Sequence, residues 1–380
     1  MAFVVGPRQV GKTTTCQALA AGGRYLNWDD PVAARIVAGG ADAVARELGL
    51  EQLRAAPLPV VFDEIHKHRR CKAFLKGFFD RHGAQVRTLV TGSSRLDAWR
   101  RGGDSLMGRY FLYRMHPFTV GELVAPRLPE AAPRPPIALA DADWQALWEH
   151  GGYPEPFVRR ATRFSNRWRE LRMQQLVREE VRDVTAIQDV SVLDLLARLL
   201  VERSAEALVY SSFAKELRVT VDTVRRWVAT LASLHLGFLV RPWPKNVTKS
   251  LRKEPKWYAA DWSAVGDPGR RAETFVACHL LKSVEGWQDA GFGRFELRYL
   301  RDKEKREVDF LVVRDGKPWF LVEAKLSDTA LSRPLAHFQR QTKADHAFQV
   351  VVEADYVAAD CFARRDPCVV PARTLFAQLL

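Results

Sequence analysis

Residues Gly6-Pro7-Arg8-Gln9-Val10-Gly11-Lys12-Thr13 constrain the fold of this chain more than any other segment. They spell G-x-x-x-x-G-K-[ST] between an apolar strand, Ala2-Phe3-Val4-Val5, and a helix-compatible run, Thr14 to Ala21. Strand, glycine loop and helix in that order make a cradle for phosphate. The glycines let backbone N–H groups wrap an anion, Lys12 sets a cation on the terminal phosphates, and the Thr13 hydroxyl is a hard oxygen ligand. Gly6 to Thr14 are therefore expected to bind ATP, with Mg²⁺ on Thr13. Short apolar runs at Phe3 to Val5, Pro59 to Phe62 and Thr88 to Thr91 alternate with helix-like segments. That alternation predicts a parallel sheet with crossover helices.

The second apolar run, Leu58-Pro59-Val60-Val61-Phe62, ends in Asp63-Glu64. Asp63 is expected to hold Mg²⁺ through water, and Glu64 to orient and deprotonate the attacking water, which makes ATP hydrolysis the expected reaction. The alternative is an acidic turn that caps a helix. The third run leads into Gly92-Ser93-Ser94-Arg95, where Ser93 is the candidate sensor of the γ-phosphate; ordinary turn residues are the other reading. Downstream, Arg109 in Ser105-Leu106-Met107-Gly108-Arg109-Tyr110 is a guanidinium for a γ-phosphate, its own or a neighbour's, or else a surface ion-pair partner.

At 380 residues the chain is long enough for several domains. Prolines crowd Val124 to Pro136, and helical spacing dominates from Asp141 to Glu206. The expected divisions are an ATPase core over 1–125, a helical lid over 126–206, a small basic unit over 207–265 and a mixed α/β unit over 266–380. No apolar stretch approaches the roughly 20 residues that a spanning helix needs, so a membrane is not an expected partner. The five cysteines have no CxxC spacing, which indicates neither zinc nor a disulfide framework. With no room for a signal peptide before the glycine loop, a cytoplasmic location is expected.

The net charge of +13 favours an anionic partner, nucleic acid first. Between Arg198 and Trp257, twelve basic residues face five acidic ones, so one stretch holds over half of the surplus. There, Ser212 and Thr220 are expected to cap two short helices, the second burying Val224, Trp227 or Val228, Leu231 and Leu234 and turning Arg225 and Arg226 outward. With strands at Gly237 to Val240 and near Trp257-Tyr258, this predicts a winged helix-turn-helix. Its second helix would enter the major groove of DNA, and Lys245, Lys249, Arg252 and Lys253 in the wing would meet phosphates. A winged helix used for protein contact is the alternative.

In the last segment, Arg306 to Val313 and Trp319 to Lys325 flank a turn at Asp315-Gly316, and Glu273 lies in a helix-like run. Asp309 and Glu323 on neighbouring strands would hold Mg²⁺ beside a scissile phosphate, with Lys325 stabilising charge. They share a face only if the turn holds an odd number of residues; a strict two-residue turn would split them. Charged strand ends that merely stabilise the sheet are the alternative.

Taken together, the motifs resemble a family of bacterial and archaeal AAA-type P-loop ATPases with a C-terminal domain of unknown function, the DUF4143 type. The likeness rests on the Walker A loop, Asp63-Glu64-Ile65-His66-Lys67 (His66 replacing the usual glutamine), Thr91-Gly92-Ser93-Ser94, Gly108-Arg109, Pro117-Phe118, Gly121-Glu122-Leu123 and Gly151-Gly152-Tyr153-Pro154-Glu155. It covers nearly the whole chain. It implies a RecA-like ATPase core followed by a restriction-endonuclease-like PD-(D/E)XK domain, with Glu273, Asp309 and Glu323-x-Lys325 on that fold's motif positions. It also implies action on DNA and a homo-oligomer. Two rival functions stay open: a nucleotide-switched DNA-binding regulator with little turnover, and an ATP-gated, metal-dependent DNA nuclease.

Overall fold

Strand β1, Ala2–Val5, buries Phe3 and Val5 and lies inside a five-stranded parallel sheet. The other strands are β2 (Arg24–Asn27), β3 (Leu58–Asp63), β4 (Val86–Thr91) and β5 (Phe111–Arg114), in the order β2-β3-β4-β1-β5. The computed structural model describes residues 1–92, 106–177, 190–243 and 254–380, which form two compact units, Met1–His116 and Pro117–Leu380. In the first unit, helices α1 (Lys12–Leu19), α2 (Pro31–Ala38), α3 (Ala41–Glu47) and α4 (Cys71–His82) accompany the sheet. Val60, Val61 and Phe62 on β3 are all fully buried, as expected of a strand covered on both faces. Phe62 meets Phe74 and Phe78 of α4 edge-on, with ring centroids 5.4 Å apart in both pairs.

The second unit is built on a seven-stranded mixed sheet in the order β12-β11-β10-β9-β8-β6-β7. Its strands are β6 (Gly237–Pro242), β7 (Lys256–Ala259), β8 (Phe295–Arg301), β9 (Glu307–Arg314), β10 (Lys317–Lys325), β11 (His346–Val351) and β12 (Cys368–Pro371). Its first helices are α5 (Val120–Val124), α6 (Asp141–His150), α7 (Pro154–Arg159), α8 (Thr162–Gln175) and α9 (Val190–Glu202), followed by α10 (Tyr210–Leu217), α11 (Val221–Ser233) and α12 (Pro268–Asp289). The long α12 starts at Pro268 behind Asp267, whose carboxylate accepts from Arg270 N at 2.8 Å. A proline at the first helical position and a capping acid together fix that start.

Residues of the three C-terminal segments expected as separate domains meet in one hydrophobic cluster, while a second cluster, holding Leu193, Leu200, Phe213, Val224, Leu231 and Trp257, is drawn from the expected lid and basic segments alone. Trp144, Leu147 and Phe157 from the expected lid, Val240 and Tyr258 from the basic segment, and Phe275 and Trp287 from α12 lie in a single hydrophobic cluster. The first compact unit ends at His116. Val120 N donates to the buried His279 Nε2 at 3.2 Å, and the buried Lys282 ammonium donates to Pro117 O at 3.1 Å, so these contacts hold the start of the second unit. The Gly151-Gly152 pair is a packing joint. A Cβ on Gly152 would come 2.4 Å from Phe118 O and 2.7 Å from the Trp262 ring, closer than carbon atoms approach.

Helices α10 and α11 meet across a short turn in which Arg218 is left-handed (φ 54°). Thr220 caps α11 as expected, its hydroxyl accepting from Thr223 N at 3.1 Å, and Val224, Trp227, Val228, Leu231 and Leu234 are buried. Ser212 does not cap α10, which begins two residues earlier at Tyr210 without a side-chain cap. Among the described residues no helix is long and apolar enough to cross a membrane.

Candidate nucleotide-binding site

The glycine loop leaves β1 through three residues with positive φ, Gly6 (149°), Gln9 (63°) and Gly11 (98°). Gly6 is fixed by space as well as by dihedral, since a Cβ there would stand 2.2 Å from Met115 O beside β5. Val10 is buried and anchors the loop, while Thr13 and Thr14 stay exposed on the first turn of α1. Replacing Gly6 by alanine is expected to cost about 3 kcal/mol, from strain at a forbidden φ plus displacement of a backbone carbonyl. For a unit of this size that lowers the melting temperature by roughly 10 °C, which calorimetry would register.

Lys12, only 8% exposed, folds its ammonium back over the loop and donates to Gly6 O at 3.0 Å and Pro7 O at 2.6 Å. Thr13 Oγ1 donates to Asp63 Oδ2 at 2.9 Å, so two motif residues fifty positions apart meet at the mouth of the loop. Asp63 ends β3 and is buried. It also accepts from Tyr25 at 2.5 Å, from its neighbour Glu64 N at 3.0 Å, and from Thr91 Oγ1. Burial first, and then the bond to Asp63, push the Tyr25 hydroxyl well above its ordinary value, so it serves Asp63 as a donor.

Glu64 is left-handed (φ 54°) at the head of a short 3-10 turn, Ile65–Lys67. Its carboxylate lies 3.3 Å from Lys67 Nζ and 3.8 Å from His66 Nε2, held by contacts that differ from those of Asp63. The loop fits a nucleotide polyphosphate. Positive-φ glycines expose its backbone, an ammonium sits in its mouth, and a hydroxyl–carboxylate pair beside it offers hard oxygens to a divalent ion. Tyr25 was not among the expected site residues, and Thr91 was expected only as the end of the third strand and part of the Thr91-Gly92-Ser93-Ser94 motif, although each stands on a strand of the same sheet. Thr91 immediately precedes Gly92-Ser93, the candidate sensor segment.

Arg109 is not part of this site. Its backbone carbonyl accepts from the Met1 amino group at 2.9 Å, and Ala2 pairs with Phe111, so Arg109 sits at the opposite end of β1 from Gly6. A four-residue strand spans about 13 Å. Its guanidinium forms a two-bond ion pair with Asp80 on α4, at 2.6 and 3.0 Å. The reach to this chain's own γ-phosphate is thus corrected to the ion-pair alternative. Ser93 lies outside the described residues, as do Lys245, Lys249, Arg252 and Lys253.

The basic stretch is less free than its composition implies. Arg198 pairs with Glu170 and Asp194, and Arg203 with Glu216. Arg225, exposed on α11, contacts Asp222 at 3.3 Å, and Arg226 is exposed beside it. Lys256 is buried and lies among carboxylates.

In the second unit the turn between β9 and β10 is a strict two-residue turn, Asp315-Gly316, with both φ values positive. By parity it should have split the acidic pair. A β-bulge between Pro318 and Phe320 supplies the odd residue, and beyond it Val322 pairs with Phe310. That register sets Glu323 opposite Asp309, on one face. Lys325 Nζ is 3.0 Å from Glu323, and Asp309 Oδ2 accepts from Ala324 N at 3.0 Å. Glu273 of α12 is the third carboxylate, accepting from Tyr258 at 2.7 Å. Burial first, and then the charge of Asp309, push Glu273 and Glu323 up to about 7.

Residues 1–124 match the model of an AAA domain, residues 141–266 that of a domain of unknown function (DUF8612), and residues 268–362 that of a second domain of unknown function (DUF4143). An uncharacterized protein of Mycobacterium tuberculosis, Rv2008c, is 22% identical over 342 residues, covering 88% of this chain and 72% of the relative. An uncharacterized protein of Mycobacterium bovis, Mb2031c, matches to the same extent. With a parallel α/β core carrying its glycine loop at the N-terminus and the DUF4143 match at the C-terminus, the chain matches an AAA-type ATPase with a C-terminal DUF4143 domain.

Proposed function

We propose that this protein hydrolyses ATP with Mg²⁺ at the Gly6 to Thr14 loop. The observation that carries the reading is the 2.9 Å hydrogen bond from Thr13 to Asp63 beside the in-folded Lys12 ammonium. It joins the end of the glycine loop to a carboxylate at the end of a neighbouring part of the same sheet. In this reading Lys12 exchanges the Gly6 and Pro7 carbonyls for phosphate oxygens, which as anions are the stronger acceptors. Thr13 and Asp63 hold the metal side of the nucleotide, while Tyr25 and Thr91 fix the Asp63 carboxylate. Glu64 takes the proton of the attacking water. Held by Thr13 and Asp63, a bound Mg²⁺ would supply positive charge to the phosphates. Release of inorganic phosphate from ATP by the purified chain, with Mg²⁺ and then with EDTA, tests the reaction. No Mg²⁺-dependent release above a Lys12→Ala control would sink it.

DNA is the partner we propose for the second unit, through a winged helix formed by α10, α11, β6 and β7. What favours it is α11, whose buried face is apolar and whose exposed face carries Arg225 and Arg226. If α11 meets phosphates, the double replacement Arg225→Ala/Arg226→Ala lowers the salt slope of duplex binding by about two ions. An unchanged slope in fluorescence anisotropy removes α11 from the interface. Assaying ATP turnover with duplex, single-stranded and branched DNA then asks whether DNA and nucleotide are coupled. Indifference to all three shifts the weight to a protein partner.

A further inference from the structure

The carboxylates that a nuclease reading would give to a divalent cation already face a cation that the chain supplies. Lys256, at the start of β7, places its ammonium 2.8 Å from Glu273, 2.6 Å from Glu307 and 3.3 Å from Asp309. The side chain is 7% exposed. Other donors of the chain also reach these carboxylates. Tyr258 donates to the same Glu273 oxygen as Lys256, Ala324 N donates to the second Asp309 oxygen, and Lys325 lies on Glu323. A divalent ion coordinates oxygen at about 2.0–2.6 Å. Bound to Asp309 or Glu273, it would stand close to a buried ammonium with little water to screen the repulsion. Among the described residues no group of three or more His, Cys, Asp or Glu side chains is arranged to hold a metal ion. The donor set therefore does not fit a catalytic cation.

We infer that Lys256 is the resident cation of this centre, and that Glu273, Glu307 and Asp309 form with it a metal-free ion cluster. The cluster fastens β7 to α12 and β9, three elements that meet nowhere else through a charged group of this burial among the described residues. Phosphodiester cleavage by a metal held on Asp309 and Glu323 is then not an activity of this unit. The inference is independent of the ATPase reading, since it concerns a different unit of the chain.

Mn²⁺ is the probe. The nucleotide-free full chain is titrated with Mn²⁺ and the free ion is followed by electron paramagnetic resonance, for the native protein and for Asp309→Asn. Any weak binding at Thr13 and Asp63 is common to both and cancels. Coincident isotherms up to about 1 mM Mn²⁺, the weak end of protein metal sites, are the expected result. One Mn²⁺ per native chain, with an affinity that Asp309→Asn lowers about tenfold or more, would overturn the proposal. Lys256→Met, similar in length but without the charge, strands three carboxylates and is expected to lower the melting temperature of the second unit by roughly 10 °C. A Lys256→Met chain that melts like the native one would also overturn it, because a clamp that can be removed without cost is not a clamp.

Discussion

Replacing Lys12 by alanine is expected to lower ATP turnover by a hundredfold or more, and to weaken ATP binding as well. The ammonium is buried and donates to two loop carbonyls, Gly6 O at 3.0 Å and Pro7 O at 2.6 Å, so it is held in the mouth of the cradle before any nucleotide arrives. A carbonyl is a neutral acceptor, whereas a terminal phosphate is an anion. The exchange gains a charge-assisted bond worth about 1.5–3 kcal/mol in the bound state. Charge that grows on the phosphate oxygens during transfer adds more, and loss of one positioned donor at such a place typically costs about 2.7–4 kcal/mol. At 1.36 kcal/mol per decade, that is roughly a hundredfold to a thousandfold in rate. A phosphate-release assay measures the rate and calorimetric titration measures the binding. Thermal unfolding serves as the control, because the variant also loses the bonds to Gly6 O and Pro7 O that tie the loop. Native turnover in the variant would mean that the glycine loop is not where the chemistry occurs.

How much of this was legible in the sequence varies with the range of the interactions involved. The glycine loop was legible because its demands are local: positive φ at Gly6 and Gly11 and a lysine one residue into the helix follow from adjacent residues. The buried stripe of α11 was legible for the same reason, since helical spacing alone aligns Val224, Trp227, Val228 and Leu231. The acidic pair on β9 and β10 was half legible. Asp315-Gly316 correctly signals the turn, but a bulge at Pro318–Phe320 decides which face Glu323 takes, and no local rule announces it.

Long-range pairings were not legible. Arg109 has the residue type for a phosphate arginine, yet its position beside Met1 comes from the β1–β5 pairing and its charge is taken by Asp80. Lys256 counts as one more positive charge in a basic stretch until α12 and β9 bring three carboxylates around it. The bounds of the compact units depend on the same kind of contact. A proline-rich run marks a surface connection well, but contacts of Pro117 and Val120 with α12 residues, well over a hundred positions away, set where the second unit begins.

Glu64→Gln should separate an enzyme from a switch. The change keeps size and shape and removes the negative charge, and with it the capacity to accept a proton, while the glycine loop, Thr13 and Asp63 keep their geometry, so ATP binding stays within about twofold of native. Turnover is expected to fall by about 10²–10⁴, the usual contribution of a positioned general base. Asp63 is not an alternative base, because Thr13, Tyr25, Thr91 and the Glu64 amide already donate to its two oxygens. Glu64 is partly exposed, and among the described residues its carboxylate meets Lys67 and His66 at 3.3 and 3.8 Å, with one side open to water. Loss of turnover with binding retained, read by phosphate release beside calorimetric titration, would assign the base. A variant that keeps native turnover would exclude Glu64 as the base. A native protein that binds ATP but turns it over no faster than Glu64→Gln would be a nucleotide switch, in which the left-handed turn at Glu64 serves only to start the Ile65–Lys67 helix.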